Sequence, residues 1–342
     1  MKRELIFTHN RILRSVFVIL SVIYLLLNRT KYFFYQIAFR RTYSSMFIIS
    51  VGNITAGGTG KTPVTIEIAR MYKERGLKVC VVFRAYRSEK KYGCVYDGSK
   101  FLMNVSEAGD EPCLIAEKTQ VPVYIGKKRV KILDRIRHEL SPDVVILDDA
   151  FQYYRLERDA DIVCIDGYEM FYNEKLLPAG ILREPLTALE RADLFIIKRH
   201  PEREEGDFQL RRLEKIAPVF TMNYRFSGDN QMSGRYLAVS GIAKPEHFIT
   251  MLREKYPGAE FFPVEFEDHH NYDKDDADYI LRVSRENRCT GIICTEKDHR
   301  KLSVFLPDIL CMKLQPEIDN KKRLERFLYE MYNRWRSERD RA

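Results

Sequence analysis

Apolar residues follow two different patterns along the chain, one near the N-terminus and one from residue 46 onward. Near the N-terminus, residues 15–27 form an uncharged apolar run, and residues 32–39 form a largely aromatic one. From residue 46, short continuous apolar runs alternate with helix-like or polar segments, at 47–51, 78–83, 121–125, 144–147, 162–165 and 194–197. Short, continuously apolar strands between helices are typical of a parallel sheet that is covered on both faces. The pattern therefore predicts an α/β fold with helices on both faces of a parallel sheet.

A second α/β pattern follows a charged, irregular stretch at 201–206. Its apolar runs lie at 236–240, 261–266, 291–294 and 310–314, and a basic helix is predicted over 321–336. The expected organisation has three parts: an N-terminal membrane-associated helical segment (1–45), a larger α/β domain (46–230) and a smaller C-terminal α/β domain (231–342).

The N-terminal apolar run is short for a helix that spans a membrane. Its thirteen residues would rise about 20 Å, against about 30 Å of hydrocarbon, so a full span would need Arg14 or Arg29 to reach back to the interface. No A-x-A-like cleavage site follows, which disfavours a signal peptide. Two ordinary core helices are the structural alternative. We predict a membrane-anchoring helical hairpin or a shallow insertion, with the remaining chain in the cytoplasm.

Charge and cysteine content narrow the partners of this 342-residue chain. A net charge of +8 and a pI of about 9.0 favour a polyanion: nucleic acid, an anionic membrane or a phosphorylated substrate. Basic residues bracket the N-terminal apolar run, which favours anionic membrane lipids, and no zinc-finger spacing or RNP-like motif supports nucleic acid. The seven cysteines are scattered without a C-x-x-C pair, as in a reducing cytosol. No obligate protein partner is inferred.

A glycine-rich loop with the sequence GGTGKT lies between the first predicted strand of the larger domain and a predicted helix. In that context, backbone N–H groups and the helix N-terminus face an anion, Lys61 reaches the terminal phosphates, and the Thr62 hydroxyl binds Mg²⁺. The strict pattern G-x-x-x-x-G-K-[ST] is not met, because Thr55 stands where the first glycine belongs. ATP and Mg²⁺ are the predicted cofactors, and the predicted nucleotide-binding residues are Thr55, Ala56, Gly57, Gly58, Thr59, Gly60, Lys61 and Thr62.

Paired carboxylates follow another predicted strand, as phosphate chemistry requires. Asp148 and Asp149 come directly after the apolar run at 144–147. Asp148 is the predicted Mg²⁺ ligand beside Thr62, and Asp149 is expected to orient neighbouring groups. An Asp-Asp pair by itself is a weak signal, since helix caps look similar; the glycine-rich loop upstream strengthens it.

Two further polar sites could supply a base for a hydroxyl acceptor. Asp110 lies in a polar turn before a predicted helix, where a helix cap is the structural alternative, and His269 lies in a polar loop after a predicted strand. An aspartate alone is a weak base at neutral pH, whereas an aspartate coupled to a histidine is better matched. Spacing alone does not pair the two residues. No H-x-x-H or H-E-x-x-H spacing occurs, so a zinc site is not predicted.

A set of short motifs, in a fixed order along most of the chain, resembles one family. The motifs are SVGNIT before GGTGKTP, GDEP at 109–112, DDAFQ at 148–152, LPAG at 177–180 with LRE at 182–184, SGIAKP at 240–245, DHH at 268–270 and TEKD at 295–298. They are similar to those of the tetraacyldisaccharide 4′-kinases of lipid A biosynthesis, and the threonine at position 55 is part of that family's pattern.

The resemblance implies a P-loop kinase domain over 46–230 and a defined reaction. The ATP γ-phosphate would be transferred to the 4′-hydroxyl of a tetraacyldisaccharide 1-phosphate, the lipid A disaccharide precursor, at the cytoplasmic face of the bacterial inner membrane. It also implies that Asp110 and His269 form a catalytic dyad and that Arg183 and Glu184 lie at the active site. Because the dyad residues fall in different predicted domains, domain closure is expected to assemble the site.

The chain departs from the family pattern at two positions. The family often has glycine where this chain has Ala85 and Ala150, and the first of these restricts the backbone beside Arg84.

The first rival function is a membrane-associated P-loop ATPase switch, which usually carries a lysine directly before Gly-Gly, where this chain has Ala56. A soluble small-molecule kinase or synthetase would not need the N-terminal apolar segment. Both rivals are therefore disfavoured.

Overall fold

The structure is a computed structural model, and it describes residues 11–38, 42–43, 45–85, 89–90, 92–168, 170–171, 174–199, 207–227, 231–242, 245–268 and 270–341. The chain divides into two compact units, one formed by residues 1–223 with 318–342 and the other by Tyr224–Glu317. This division differs from the predicted domains 46–230 and 231–342, because the C-terminal helix belongs to the first unit rather than to the second.

The first unit is built on a large, mainly parallel sheet. Among the described residues its order is β13-β8-β7-β6-β1-β5-β2-β4-β3; β3 is antiparallel to β4, whereas β1 is parallel to both β5 and β6. The strands are β1 (Phe47–Gly52), β2 (Val79–Phe83), β3 (Tyr92–Tyr96), β4 (Val123–Gly126), β5 (Val144–Asp148), β6 (Ala160–Asp166), β7 (Leu194–Lys198), β8 (Val219–Phe226) and β13 (Leu314–Ile318). The chain leaves the first unit within β8, after residue 223, and returns to it at Ile318, the last residue of β13. The predicted α/β fold with a parallel sheet is confirmed.

Helices precede, connect and follow these strands in the first unit. They are α1 (Arg11–Ala38), α2 (Lys61–Glu74), α3 (Val105–Ala108), α4 (Asp110–Thr119), α5 (Arg129–Glu139), α6 (Asp207–Glu214) and α10 (Lys321–Arg339), with a 3₁₀ turn at Leu186–Arg191. Helix α10 packs Tyr332 and Trp335 edge-on or tilted against Phe47 of β1, and the Tyr72 hydroxyl of α2 donates to the Leu328 carbonyl at 2.8 Å. These contacts explain why the basic C-terminal helix belongs to this unit.

The position of β1 in the sheet determines where a ligand can bind. From β1 the chain moves to one side through β2, β4 and β5, and then to the other side through β6 and β7. Such a reversal opens a crevice at the carboxyl ends of the central strands, where α/β proteins bind their ligands. Val51 near the end of β1 pairs with Asp148 at the end of β5. The glycine-rich loop and the paired aspartates therefore emerge side by side.

The N-terminal segment is one continuous helix, so the predicted helical hairpin is wrong. Helix α1 has 28 residues and rises about 42 Å. The polar residues between the two apolar runs, 28–31, include neither glycine nor proline, and the Thr30 hydroxyl donates to the Leu26 carbonyl at 2.9 Å. Nothing there breaks the helix. Within the described residues, Ser15–Tyr35 is the one stretch long and apolar enough to cross a membrane.

The second unit contains a four-stranded parallel sheet of order β10-β9-β11-β12. Its elements are β9 (Gly234–Ser240), α7 (Pro245–Lys255), β10 (Ala259–Glu265), α8 (Lys274–Glu286), β11 (Gly291–Thr295), α9 (Glu296–Leu302) and β12 (Leu310–Met312). Buried Asp298 accepts hydrogen bonds from the Gly241 amide (3.0 Å), the Thr295 hydroxyl (2.6 Å) and the Tyr272 hydroxyl (2.9 Å). The SGIAKP and TEKD motifs therefore meet at one buried carboxylate.

Candidate active site

The glycine-rich loop joins the buried strand β1 to the first turn of α2. Gly57 and Gly60 have φ values of 132° and 81°, a region that side-chain-bearing residues rarely adopt. Two buried side chains fasten the base of the loop, since the Asn53 amide donates to the Thr59 hydroxyl at 3.0 Å. Gly57 and Gly58 are exposed. The loop thus presents its backbone outward at a helix N-terminus, which is the arrangement that binds phosphate.

A second segment, residues 176–184, lies against the start of this loop. The Ala56 amide donates to the Ile181 carbonyl at 2.7 Å, the Arg183 amide donates to the Ile54 carbonyl at 2.6 Å, and Thr55 forms an antiparallel bridge with Leu182. Thr55, which departs from the strict phosphate-loop pattern, is buried in this pairing. The LPAG and LRE motifs are therefore neighbours of the phosphate loop in space.

Asp148 ends β5 as a fully buried carboxylate. Its Oδ1 atom accepts a hydrogen bond of 2.8 Å from the Thr65 hydroxyl of α2. Burial raises the pKa of Asp148 to about 7; Glu111 and Asp149 also raise it, whereas Lys61 and the Thr65 hydrogen bond lower it. A buried carboxylate of this kind gains from a nearby cation more than an exposed one does, because its own hydration has been lost.

Asp149 lies one residue further on and holds two cationic side chains. Its Oδ1 atom is 3.0 Å from an Arg183 guanidinium nitrogen and 3.6 Å from Lys61 Nζ. Burial raises the pKa of Asp149, but Lys61, Arg183 and Arg129 together outweigh burial, so the net shift is downward. Its carboxylate is therefore ionised at neutral pH. The arrangement brings Lys61 and Arg183 to one point beside the glycine-rich loop.

Glu184 occupies a buried network rather than an exposed surface. Only 3% of this residue is exposed, and its carboxylate accepts hydrogen bonds from Gln152 (2.9 Å) and from Arg191 (3.1 and 2.8 Å). Gln152 also donates to the Asn53 carbonyl at 2.7 Å, and Arg191 stacks over the Phe151 ring. The network links the DDAFQ and LRE motifs to the strand that enters the phosphate loop.

A close backbone approach holds the DDAFQ motif against β1. A Cβ atom on Gly52 would lie 2.6 Å from Phe151 Cβ and 2.8 Å from the Phe151 amide nitrogen, so only glycine fits at the end of this strand. Ala150, one of the departures from the family pattern, is fully buried in the hydrophobic core. The alanine is therefore a core residue between Asp149 and Phe151.

Sequence reasoning missed Arg129, whose guanidinium binds the backbone of both aspartates. This buried guanidinium donates to the Asp148 carbonyl oxygen and, at 3.1 Å, to the Asp149 carbonyl oxygen. Burial lowers the pKa of Arg129 to about 10, and it remains a cation at neutral pH. No motif marks this position. Gln152 and Asn53, by contrast, lie within the quoted motifs and could have been singled out.

The structure describes only one of the two predicted dyad residues. Asp110 is the first residue of α4, follows Gly109 (φ 99°) and is half-buried. The capping alternative does not apply, because Gly109 holds the N-cap position. His269 lies outside the described residues. Its neighbours are anchored, with Asp268 2.9 Å from Lys297 and His270 2.7 Å from Asp276. The dyad stays a prediction.

The donor atoms near the loop suit a cation that is shared with a nucleotide. No group of three or more His, Cys, Asp or Glu side chains that could hold a metal occurs in the described part of the chain. The predicted ligands, Thr62 and Asp148, provide one hydroxyl and one carboxylate. Mg²⁺ commonly takes one or two such protein oxygens and completes its octahedron with phosphates and water, so the residues present fit Mg²⁺.

Comparison with known proteins identifies the family. The model of the family described as tetraacyldisaccharide-1-P 4′-kinase matches residues 13–333. The chain belongs to the tetraacyldisaccharide 4′-kinase family. A tetraacyldisaccharide 4′-kinase from Halothermothrix orenii is 37% identical over 287 residues, 75% of this chain and 74% of that protein. Another, from Syntrophus aciditrophicus, is 36% identical over 315 residues and 83% of each chain.

A solved structure agrees with this assignment across both units. The crystal structure of LpxK from Aquifex aeolicus in complex with ATP matches this fold with a TM-score of 0.74 at 26% identity, covering 94% of this chain and 99% of that one. As a member of the tetraacyldisaccharide 4′-kinase family, the chain is a lipid kinase that transfers phosphate to a lipid A precursor. The predicted family and enzyme class are confirmed.

Proposed function

We propose that this kinase binds ATP with Mg²⁺ at residues 55–62 and transfers the γ-phosphate to the 4′-hydroxyl of a tetraacyldisaccharide 1-phosphate. The observation that carries this proposal is the convergence of Lys61 and Arg183 on Asp149 at the edge of the glycine-rich loop. Phosphoryl transfer depends mainly on positioning and on cations that neutralise the equatorial oxygens of the transferred group. Two cations held beside a phosphate loop meet that requirement.

Each residue then has a defined task. Backbone N–H groups of the loop and the N-terminus of α2 bind the phosphates. Lys61 and Arg183 exchange part of their contact with Asp149 for the oxygens of the transferring group, where charge develops. Because Asp149 orients both cations before the nucleotide arrives, little reorganisation is needed. Mg²⁺, held by Thr62 and Asp148, would supply further charge neutralisation. Glu184 acts from its buried network as a positioning residue for the adjoining Arg183.

The acceptor hydroxyl requires a base, and the family resemblance supplies Asp110 with His269. Asp110 is the first residue of α4, and an aspartate alone is a weak base at neutral pH. A histidine partner that receives the proton, or holds the carboxylate in place, would restore basicity near neutral pH.

A direct assay tests the reaction and the dyad together. With ATP, Mg²⁺ and the disaccharide lipid precursor, the wild-type protein should produce a lipid with one added phosphate. Asp110→Asn and His269→Ala should each lower kcat about a hundredfold or more, and the double variant should be much less impaired than the product of the two effects. ATP hydrolysis without a phosphorylated lipid would refute the kinase proposal. Full additivity would leave the kinase in place but refute the coupled dyad.

We also propose that α1 attaches the enzyme to the cytoplasmic face of the inner membrane by lying along one leaflet. Its outward face exposes large apolar side chains, among them Ile19, Ile23, Leu26 and Leu27. Its other face is hydrogen-bonded to the rest of the first unit, through Ser21 to the Leu176 carbonyl and through Tyr24 to the Arg183 carbonyl. A helix that is docked along its length on a folded unit, with an apolar outer face, suits insertion in the interface.

Charge placed on the outer face of α1 should release the enzyme from membranes. Ile19→Asp with Leu26→Asp should lower binding to anionic phospholipid vesicles at least about tenfold, because two lipid-inserted apolar side chains are replaced by carboxylates that anionic lipids repel. Co-sedimentation measures this. Val304→Asp, at an exposed apolar position of the second unit, is the matched control and should bind like wild type. Undiminished sedimentation of the α1 variant would refute the attachment.

A further inference from the structure

The inner face of α1 carries polar groups that membrane attachment does not require. Four residues, spaced three and four positions apart, lie along this face: Ser21, Tyr24, Asn28 and Tyr32. We call them the polar seam. Side chains at this spacing share one side of a helix. Ser21 is only 8% exposed, whereas Val22 and Ile23 beside it are about half exposed. The seam is therefore the side of α1 that is turned toward the first unit.

The seam makes its contacts with the segment that carries Arg183. The Ser21 hydroxyl donates to the Leu176 carbonyl at 2.9 Å and accepts from the Ala179 amide at 3.0 Å. One turn further, the Tyr24 hydroxyl donates to the Arg183 carbonyl at 3.0 Å. The Asn28 amide group reaches the same carbonyl at 3.4 Å. Two side chains of α1 thus converge on one backbone oxygen of a predicted active-site residue.

Arg183 is consequently held at three points. Its carbonyl accepts from the seam, its amide donates to the Ile54 carbonyl at 2.6 Å, and its guanidinium contacts Asp149 at 3.0 Å. The contact with Ile54 joins Arg183 to the start of the phosphate loop. The contact with Asp149 places the guanidinium near Lys61, which contacts the same carboxylate. The first contact, made by α1, holds the backbone of Arg183, to which the guanidinium-bearing side chain is attached.

The C-terminal end of the seam, at Tyr32, supports Glu184, the residue after Arg183. The Tyr32 ring packs edge-on against Tyr154 with centroids 5.0 Å apart, and the Arg191 guanidinium lies 5.4 Å from the Tyr32 ring centroid. Arg191 in turn binds both oxygens of buried Glu184. The same face of α1 therefore supports Arg183 directly and Glu184 through Arg191.

We propose that the polar seam, through Tyr24 and Asn28, positions Arg183 for phosphoryl transfer. This inference rests on the proposed role of Arg183 at the transferring phosphate. Tyr24 and Asn28 are positioning residues, since they act on the Arg183 carbonyl and through it on the direction of the guanidinium. Helix α1 thereby does two separable things: its outer face binds lipid, and its inner face sets the geometry of a cation at the active site.

A double-mutant cycle separates positioning from both attachment and general stability. Tyr24→Phe with Asn28→Leu removes the two donors and keeps the side-chain bulk. In mixed micelles at saturating lipid, this pair should lower kcat about three- to tenfold, the effect of losing one or two hydrogen bonds. The KM for ATP and binding to anionic vesicles should not change. Tyr24→Phe alone, which retains the ring, should show a smaller loss in the same direction.

The decisive measurement repeats the pair in an Arg183→Ala background. There, the seam variant should change kcat less than about twofold, because the side chain it positions is gone. Thr30→Val is the matched control: it removes an exposed hydroxyl of the same helix that bonds only to its own turn in the structure, and kcat should equal that of wild type.

Each other outcome has a distinct meaning. If Arg183→Ala itself leaves kcat near the wild-type value, the proposed role of Arg183 fails and the positioning inference falls with it. If Arg183→Ala is impaired but the seam pair is without effect, or lowers kcat equally in both backgrounds, only the positioning inference is overturned. A parallel loss of vesicle binding and kcat would assign the effect to attachment and overturn it as well.

Discussion

Replacing Lys61 with alanine is expected to lower kcat about 10²- to 10³-fold or more, the usual cost of removing a group that stabilises transition-state charge. Lys61 is the first residue of α2 and lies 3.6 Å from Asp149, so its ammonium group is aimed at the mouth of the glycine-rich loop. Without it, only one of the two side-chain cations proposed to neutralise the oxygens of the transferred phosphoryl group, Arg183, would remain. Single-turnover phosphorylation of the disaccharide lipid at saturating ATP measures this effect separately from nucleotide binding.

The backbone should survive the Lys61→Ala change. The loop is fastened by the Asn53–Thr59 hydrogen bond and by the Ala56–Ile181 backbone bond, neither of which involves Lys61. Asp149 would keep Arg183 as its partner. The matched control is Lys215→Ala, at an exposed lysine of the same unit, and its kcat should equal that of wild type. A Lys61→Ala enzyme within tenfold of wild type would contradict the proposed role of the loop.

The phosphate loop and the paired aspartates were predictable from the sequence because their chemistry is local. A buried strand, a glycine-rich turn and a helix lie within about thirty residues, which is the size of one βαβ unit. Asp148 ends a strand whose other residues are all apolar, and Asp149 follows that strand. That the two sites adjoin required only the rule that parallel strands end at a common edge of the sheet, and the pairing of Val51 with Asp148 bears this out.

Contacts between residues far apart in sequence were beyond such reasoning. The Tyr24 hydroxyl bonds to a carbonyl 159 residues away, and Ser21 bonds to one 155 residues away. The sequence of an apolar helix by itself indicates only a lipid-facing side. The role of the polar seam can be recognised only when residues 176–184, which the seam contacts, have been placed beside it. Glu184 shows the same limit: the LRE motif marked it, but its burial against Arg191 and Gln152 depends on three separate segments.

The two organisational differences have simple physical causes. A helical hairpin would need a turn between the two apolar runs, yet the polar residues 28–31 include neither glycine nor proline and continue a helix readily. The C-terminal helix was assigned to the nearer domain in sequence. Its aromatic side chains instead pack on Phe47 and Tyr72 of the first unit. Amphipathic pattern predicts that a helix buries one face and does not say against which sheet.

Asp148→Asn is expected to raise the stability of the nucleotide-free enzyme at pH 8 while nearly abolishing its activity. Burial raises the pKa of this carboxyl from its usual value of 3.8 to about 7 in the folded protein. A group whose pKa is higher when folded stabilises the fold fully only below its unfolded pKa. Its contribution declines as the pH rises from about 4 and is lost above about 7. Wild type therefore carries a buried, costly negative charge at pH 8, and the asparagine variant does not.

The substitution keeps the local contacts that hold the site together. The amide oxygen of the introduced asparagine can still accept from the Thr65 hydroxyl, and Arg129 donates to backbone carbonyls, which the change leaves intact. Thermal unfolding without nucleotide or Mg²⁺ should show the variant melting about 3 °C or more above wild type at pH 8, with the difference shrinking as the pH falls toward about 5. Asp308→Asn, at an exposed aspartate, should show no such trend.

Activity should move in the opposite direction to stability. If Asp148 holds Mg²⁺ beside the transferring phosphate, a neutral amide is a much weaker ligand for a hard cation, and kcat at millimolar Mg²⁺ should fall about a hundredfold or more, roughly the cost of losing one charge-stabilising group. A charge that destabilises the resting protein is then retained because the bound cation uses it. A variant that gains stability yet keeps wild-type turnover would exclude Asp148 from the metal site, and one that loses stability at pH 8 would show that its charge is compensated.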